Sequence, residues 1–555
     1  MVFERSAARR WRGLHSCSWV ALVALFASGR AVAQPTPPPI EREFRAAWVS
    51  PTEGGDWPSR PGLSVADQKA ELTAVLDAAK TDGLNAVLLH VRTAADAFYP
   101  SKRVPWSRYL IGRYGSTSDY DDYDPLALAV AEAHARGLQL HAWFNPFRAM
   151  PPDNLGTAIA GHITRTHPEW IRHYGKSTWI DPGIPAARRA VLDAVLEVVD
   201  KYDIDGVHLD DYFYPYLEEG TITRTIKHGK HRRRITRHVT LRFPDDASWK
   251  KYGRAKGWTD RDAWRRNNID DFVQTLYREV KSRKRWVLVG ISPFGIWRPG
   301  HPEGITGLDS YSEVFADTRR WLREGWVDYL VPQLYWPLDN YEARFTKLDA
   351  WWRSENVLGR HVWPGLFTMR VDSRNDPWPA DEIAQEVDAL RAARRGTTES
   401  LGHVHFRMRT LLAHVDDDTL TLGAELRATE YTTPALPPAS AWLGAAVPAE
   451  PKILAPVDTT IQESANGDDR GGASSLTNAV LVAAPGDSVT VRWWVVQTLG
   501  KDEHWSQRVL PATSQPLSLT LADTFGAEWV AVTPISRTGV AGTPAVWHVG
   551  ASGDR

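Results

Sequence analysis

The sequence predicts an α/β chain: a (β/α)8 barrel of the TIM type, followed by a small all-β sandwich like fibronectin type III. Three observations predict it. Short apolar runs alternate with amphipathic segments from Arg42 to about Glu430, the pattern of repeated βαβ units. Eight such runs are present, the count that closes a barrel. Beyond Lys452 the pattern becomes strand-like runs separated by turn residues, with no convincing helix.

The eight expected strands are Phe44–Ser50, Ala86–Arg92, Leu138–Pro146, Gly206–Tyr214, Val287–Phe294, Val327–Trp336, Val362–Phe367 and His403–Met408. Between them lie helical segments at Ser64–Thr81, Pro125–Arg136, Pro185–Tyr202, Trp264–Arg283, Asp309–Arg323, Tyr341–Glu355 and Pro379–Arg394. Ser64 reads as an N-cap, and Gly83 and Gly137 as helix stops. An open doubly wound sheet is the alternative. It favours a glycine-rich phosphate turn after its first strand, where this chain has Val49-Ser50-Pro51-Thr52-Glu53. In the C-terminal part, strands are expected in Val489–Val496, Leu517–Leu521 and Trp529–Val532.

The chain has 555 residues, room for one large domain and a small one. It is 43% hydrophobic and 24% charged, enough for a real core. A formal net charge of −1 gives no reason to expect nucleic acid as a partner. The 26 Trp residues stand out. Flat indoles suit the C–H faces of sugars, although core packing accounts for many of them. Arg5, Arg9, Arg10 and Arg12, the apolar stretch Trp19–Phe26 and the small-x-small Ala31-Val32-Ala33 read as a signal peptide over residues 1–33. That implies a periplasmic or secreted protein, with no membrane-spanning run left after cleavage. The single Cys, Cys17, precedes the apolar stretch, so the mature chain holds no disulfide. Residues 34–41 read as an extended, disordered Pro-rich spacer, 42–431 as the barrel, 432–451 as a Pro/Ala-rich linker and 452–555 as the sandwich.

A β/α barrel keeps its chemistry at the C-terminal ends of its strands. The fourth strand ends Asp205-Gly206-Val207-His208-Leu209-Asp210-Asp211-Tyr212. Side chains alternate along a strand, so His208, Asp210 and Tyr212 share the face toward the barrel mouth, where His208 and Tyr212 are expected to meet substrate. Glycosidic cleavage uses one carboxyl group as acid and a second as base or nucleophile. Asp210 is the first catalytic candidate. The second carboxyl is Asp211 or Asp96, and each has a structural alternative, Asp96 as the cap of a turn. Arg92, at the end of the second strand, is placed to pair with a catalytic carboxylate. Trp143 and Asn145 on the third strand, with Gln333, Tyr335 and Trp336 on the sixth, offer the mixture of hydrogen bonding and flat surface that a sugar subsite needs. His141 reads as a core histidine, and Asp181 as a residue that orients substrate or stops a loop.

No G-x-S-x-G elbow is present, so Ser292 is not a nucleophile candidate. His403 and His405 are too weak a pattern for a metal site, and no metal or cofactor is expected. The segment Ile222–Arg242 is intensely basic and has no acidic residue. It reads as a loop beside the barrel mouth that either meets an anionic polymer or stays solvated.

Several motifs together resemble the glycosyl hydrolase-like 10 family. They are Phe44-Arg45-Ala46-Ala47-Trp48-Val49, Tyr99-Pro100-Ser101, His141-Ala142-Trp143-Phe144-Asn145-Pro146 and Asp181-Pro182-Gly183. They continue with Asp210-Asp211-Tyr212-Phe213-Tyr214, Ser292-Pro293-Phe294-Gly295-Ile296-Trp297 and Pro332-Gln333-Leu334-Tyr335-Trp336. The resemblance runs through nearly the whole barrel in order. It implies a barrel hydrolase, and at least one member acts on peptidoglycan glycan strands stripped of their stem peptides. It also matches Asp210 and Asp211 to the family's Asp-Asp-Tyr signature, and the basic Ile222–Arg242 looks like an insertion. Two further readings stand beside the glycosidase: a glycan-binding barrel without chemistry, and a metal-dependent deacetylase for which no ligand set is visible.

Overall fold

The computed structural model describes residues 34–52, 54–112, 120, 122–150, 161–228, 231–339, 344–373, 376–379, 381–413, 420–458, 479–484, 491–512, 517–519 and 526–549. The segment read as a signal peptide, with Cys17, lies outside them.

The eight expected strands form one parallel sheet. The first, Phe44–Val49, is flanked by the second, Ala86–Arg92, and by the eighth, Gly402–His405. The order continues through the third, Gln139–Phe144, the fourth, Gly206–Leu209, the fifth, Leu288–Ile291, and the sixth, Tyr329–Leu330. The seventh is split into His361–Val362 and Gly365–Leu366. Its first piece pairs with the sixth strand and its second with the eighth, which joins the two ends of the sheet into a barrel. The break falls at Trp363-Pro364, where proline has no N–H for a ladder; its carbonyl still accepts from Val404 N at 3.0 Å.

Helices start and stop where local chemistry directs. The Ser64 side chain accepts from Asp67 N and opens Val65–Thr81, and the Asp124 side chain with Pro125 at the first position opens Pro125–Ala135. Gly83 and Gly137 follow these helices with φ of +86° and +76°, the left-handed region where a side chain strains the backbone. The expected helix Asp309–Arg323 is two short ones, Ser310–Glu313 and Thr318–Arg323, with Phe315 between them at φ 56°.

Alternation along the strands sorts two cores. Val87, Leu89, Leu140, Ala142, Val207, Leu209, Val289 and Ile291 face the helices. Phe44, Ala46, Trp48, Leu88, Trp143, Tyr329, Trp363 and Val404 fill the barrel.

The C-terminal part has seven strands among the described residues. Lys452–Asp458, Ala479–Ala484 and Leu517–Leu519 form one antiparallel sheet; Val491–Gly500, Trp505–Pro511, Ala527–Ser536 and Ala545–His548 form the other. Trp494, Val496, Leu517, Leu519, Val530 and Val532 pack into one core. The alternate residues Trp493 and Val495 pack instead with Leu436, and Trp493 Nε1 donates to Gly137 O at 3.0 Å. Gly137 precedes the third strand, so this domain packs on the N-terminal end of the barrel and, among the described residues, leaves the opposite mouth free.

The expected linker is not a free tether. Leu436 and Leu443 are buried, and Trp442 Nε1 donates to Asp328 at 2.8 Å. The Pro-rich spacer is likewise held: Pro38 O accepts from Gln497 Nε2 at 3.0 Å, and Ile40 packs beside Leu436. Proline-rich segments lack intrinsic order, but an apolar residue every few positions lets a neighbouring surface fix them.

Candidate active site

The strand ends at the free mouth enclose a cleft of about 720 Å³, within the range of ligand sites. Asp210 and Asp211 lie on its floor, both buried. Asp210 follows the fourth strand by one residue, so period-two alternation turns its carboxyl inward with His208, while Val207 and Leu209 face the helices. Its Oδ2 accepts from Trp143 Nε1 at 3.3 Å and its Oδ1 from Tyr212 N at 3.4 Å. Burial and the neighbouring Asp211 carboxyl push Asp210 up to about 8, against the pull of the Arg148 guanidinium. Burial raises Asp211 as well, opposed by hydrogen bonds from the Tyr216 hydroxyl and from Gln333. Two adjacent buried carboxyls repel as anions, so the stable arrangement keeps one of them protonated.

The walls are aromatic. The rings of Trp143 and His90 stack at 3.8 Å, and Tyr335 stacks on Phe367 at 4.5 Å. Burial lowers His90 to about 3, so it presents a neutral imidazole. Asn145 lines the cleft, and its Oδ1 accepts from Arg148 N at 3.1 Å. Gln333 lines the same floor, its Nε2 donating to Ser292 O at 3.2 Å. Tyr212 also lines the cleft, beneath the Arg148 guanidinium at 4.5 Å.

Four expected site residues are not brought to the cleft. Asp96 is fully buried behind its wall: Oδ1 accepts from Thr93 N and Ala94 N, both at 2.9 Å, so the carboxylate ties the turn after the second strand. Arg92 does not pair with a catalytic carboxylate. A register shift between His90 and Arg92 reverses its side, and its Nη1 donates to Asn145 O and Pro146 O at 2.6 and 3.0 Å. Trp336 packs edge-on against Phe294 outside the lining, because the sixth strand ends at Leu330 and alternation does not carry that far.

His208 is a barrel-core residue. Trp48 Nε1 can only donate, so His208 Nε2 accepts it at 3.1 Å. His208 Nδ1 then carries the proton and donates to Tyr329 OH at 3.1 Å. That hydroxyl donates to His141 Nδ1 at 2.8 Å, and His141 Nε2 donates to Gln139 Oε1 at 3.1 Å. Burial holds both imidazoles neutral, His141 at about 4 and His208 well below its usual value. Asp181 is also structural, fully buried with Ser248 Oγ donating to it at 2.6 Å and Arg172 at 2.8 Å.

Sequence reasoning missed three participants. Arg148 follows Asn145-Pro146-Phe147 and supplies the cation that faces both carboxyls. Arg407 lines the opposite wall, its Nη1 donating to Thr52 O at 2.7 Å and its Nε lying 3.5 Å from Asp56. Tyr216 bonds Asp211. Each stands beyond a strand end, where only a basic or phenolic residue just after the motif hinted at it. His403 and His405 both meet the Tyr431 hydroxyl, at 2.5 and 2.8 Å, and no metal-type cluster occurs among the described residues.

The chain is similar to several known proteins. A Bacillus subtilis protein, glycosyl hydrolase YngK, is 36% identical over 435 residues, covering 77% of this chain and 78% of its own. Glycosyl hydrolase DigH of Escherichia coli is 33% identical over 329 residues, 56% of this chain and 69% of its own. Among solved structures, the glycoside hydrolase domain of PgaB from Bordetella bronchiseptica aligns with a TM-score of 0.40 at 15% identity, over 66% of this chain and 94% of its own. The family profile named Glycosyl hydrolase-like 10 matches residues 43–379, the greater part of the barrel, and the chain belongs to that family.

Proposed function

We propose that the protein is an exported glycosidase that cuts peptidoglycan glycan strands, with Asp210 as the general acid. One observation carries this reading: a carboxyl on the cleft floor that burial keeps protonated near neutral pH, directly beside a second carboxyl. Protonated Asp210 gives its proton to the glycosidic oxygen as the C–O bond breaks. Asp211, held by Tyr216 and Gln333, is the carboxyl that meets the developing positive charge or takes a proton from the attacking water. The stacked Trp143–His90 and Tyr335–Phe367 pairs give the sugar flat walls. Arg148 and Arg407 suit a glycan that bears lactyl carboxylates.

Residues 1–33, as a signal peptide, put the enzyme in the periplasm or outside the cell. The C-terminal strands are read as a fibronectin III-like domain that braces the barrel base.

The experiment is mass-spectrometric detection of sugars released from purified peptidoglycan, with and without stem peptides. The expected result is soluble glycan fragments from wild type and none from Asp210→Asn. Binding without product, unchanged in Asp210→Asn, would overturn the reading in favour of a non-catalytic glycan-binding barrel.

A further inference from the structure

The basic segment after the fourth strand is not the loop its composition suggests. It is a two-stranded antiparallel hairpin, Glu219–His228 with His231–Thr240, and among the described residues its strands pair only with each other. Each strand has 10 residues and reaches about 33 Å. Its root is fixed: Leu241 N donates to Glu218 O at 2.8 Å, and the Tyr174 hydroxyl bridges Glu218 N and Leu241 O at 3.0 and 3.1 Å. Tyr216, just before that root, bonds Asp211. The arm therefore springs directly from the cleft floor.

The charge pattern sets a physical problem. Seven Lys and Arg residues fall between Gly220 and Thr240, in a chain whose net charge is −1. No Asp or Glu occurs between Glu219 and Asp245. The register puts Lys227 opposite Arg232, a like-charge pair that weakens a ladder. Ladder positions of one parity hold Arg224, Arg233 and Arg237; those of the other hold Lys227, Arg232 and Arg234. Ile222, Ile226, Ile235 and Val239 all fall in the first set, so the second, filled out by Thr221, Thr223, Thr225 and Thr236, is the wholly polar face; Arg234 and Arg237 are exposed. A lone two-stranded hairpin is marginal in water even without repulsion. A polyanion laid along it relieves the repulsion between Lys227 and Arg232.

We infer that this hairpin is a docking arm for a carboxylate-bearing polysaccharide, which it feeds to the cleft. The inference rests on the glycosidase reading for its choice of polysaccharide over other polyanions. The cleft continues the arm's chemistry, since Arg148 and Arg407 line it.

The test measures co-sedimentation and product release together. The probes are stem-peptide-free glycan strands with free lactyl carboxylates, the same strands with those carboxylates reduced to alcohols, a purified wall teichoic acid, and a single-stranded oligonucleotide. The proteins are the full mature chain, the variant Arg232→Gln/Arg233→Gln/Arg234→Gln, and a control, Arg60→Gln/Lys102→Gln/Arg103→Gln, that removes exposed cations elsewhere. The expected result is binding to the strands with free carboxylates and not to the reduced strands, weakened about ten-fold in the hairpin variant and not in the control, with the difference lost at high salt. Hairpin-dependent binding of the teichoic acid in place of the carboxylate strands would overturn the proposal. Equal binding by all three proteins, or capture of the oligonucleotide alone, would overturn the docking arm. Glycan bound through the hairpin but never cut leaves the arm standing and removes the glycosidase. Glycan cut and bound equally by wild type and hairpin variant does the reverse.

Discussion

The indole N–H of Trp143 donates to the carboxyl of Asp210 across 3.3 Å, joining the third barrel strand to the end of the fourth. This bond favours the ionised acid and opposes the burial that protonates it. Trp143→Phe is expected to raise the Asp210 pKa further. The alkaline limb of kcat/KM would then move above its wild-type position, with activity lower because the sugar wall is altered. A limb that stays in place would show that Asp210 does not govern it.

In the proposed mechanism Asp210 acts in its protonated form, and its pKa is pushed up to about 8 by burial and Asp211. The rate profile should hold through neutral pH and fall as pH rises through that value. Asp210→Asn should lower kcat by at least about a hundred-fold with the glycan still bound. A profile that keeps rising above pH 9 would assign the acid to another group.

The same shift has a stability consequence of definite sign. An unfolded Asp titrates near 4, whereas the folded one holds its proton to about 8. Across that window the native state binds the extra proton, so stability falls as pH rises, and the full penalty is present above the folded value. Asp210→Asn removes the penalty. Its melting temperature should match wild type near pH 4 and exceed it near pH 9, a gain of order a few kcal/mol. A gain of equal size at both pH values would contradict the shifted carboxyl.

Tyr329 is the middle of the chain that runs from Trp48 through His208 and His141 to Gln139. Tyr329→Phe leaves two buried imidazole nitrogens without partners, at about 1–3 kcal/mol each. Denaturant unfolding should show that loss, with product release per folded molecule largely kept. A catalytic defect at unchanged stability would make the histidines part of the chemistry.

Asp96 gives the opposite expectation to Asp210. Its carboxylate accepts from two backbone N–H groups in the turn behind Thr93 and Ala94. Asp96→Ala should lower stability by about 1–3 kcal/mol and leave the pH limb unmoved. Loss of all product from a variant with the wild-type melting temperature would return Asp96 to the catalytic set.

Much of this was legible in the sequence, and the limits are local. Period-two alternation placed Asp210 inward correctly because the fourth strand is regular from Gly206 to Leu209. The same rule misplaced Arg92, because a register shift at its own position reversed the side. It gave Trp336 a strand position although the sixth strand ends at Leu330. It turned His208 inward as expected, but the ring finds Trp48 and Tyr329 below the mouth before any sugar can reach it.

The sequence by itself determined the parallel barrel, the all-β tail, the family motifs and the Asp-Asp pair. These are written in short-range periodicity and in runs of adjacent residues. Only the tertiary structure decided that burial raises both carboxyls, that Arg148 and Arg407 supply the cleft's cations, and that the basic stretch is a hairpin rooted beside Asp211. Those properties depend on burial and on partners distant in sequence, brought close by barrel closure, and neither composition nor spacing encodes a through-space distance.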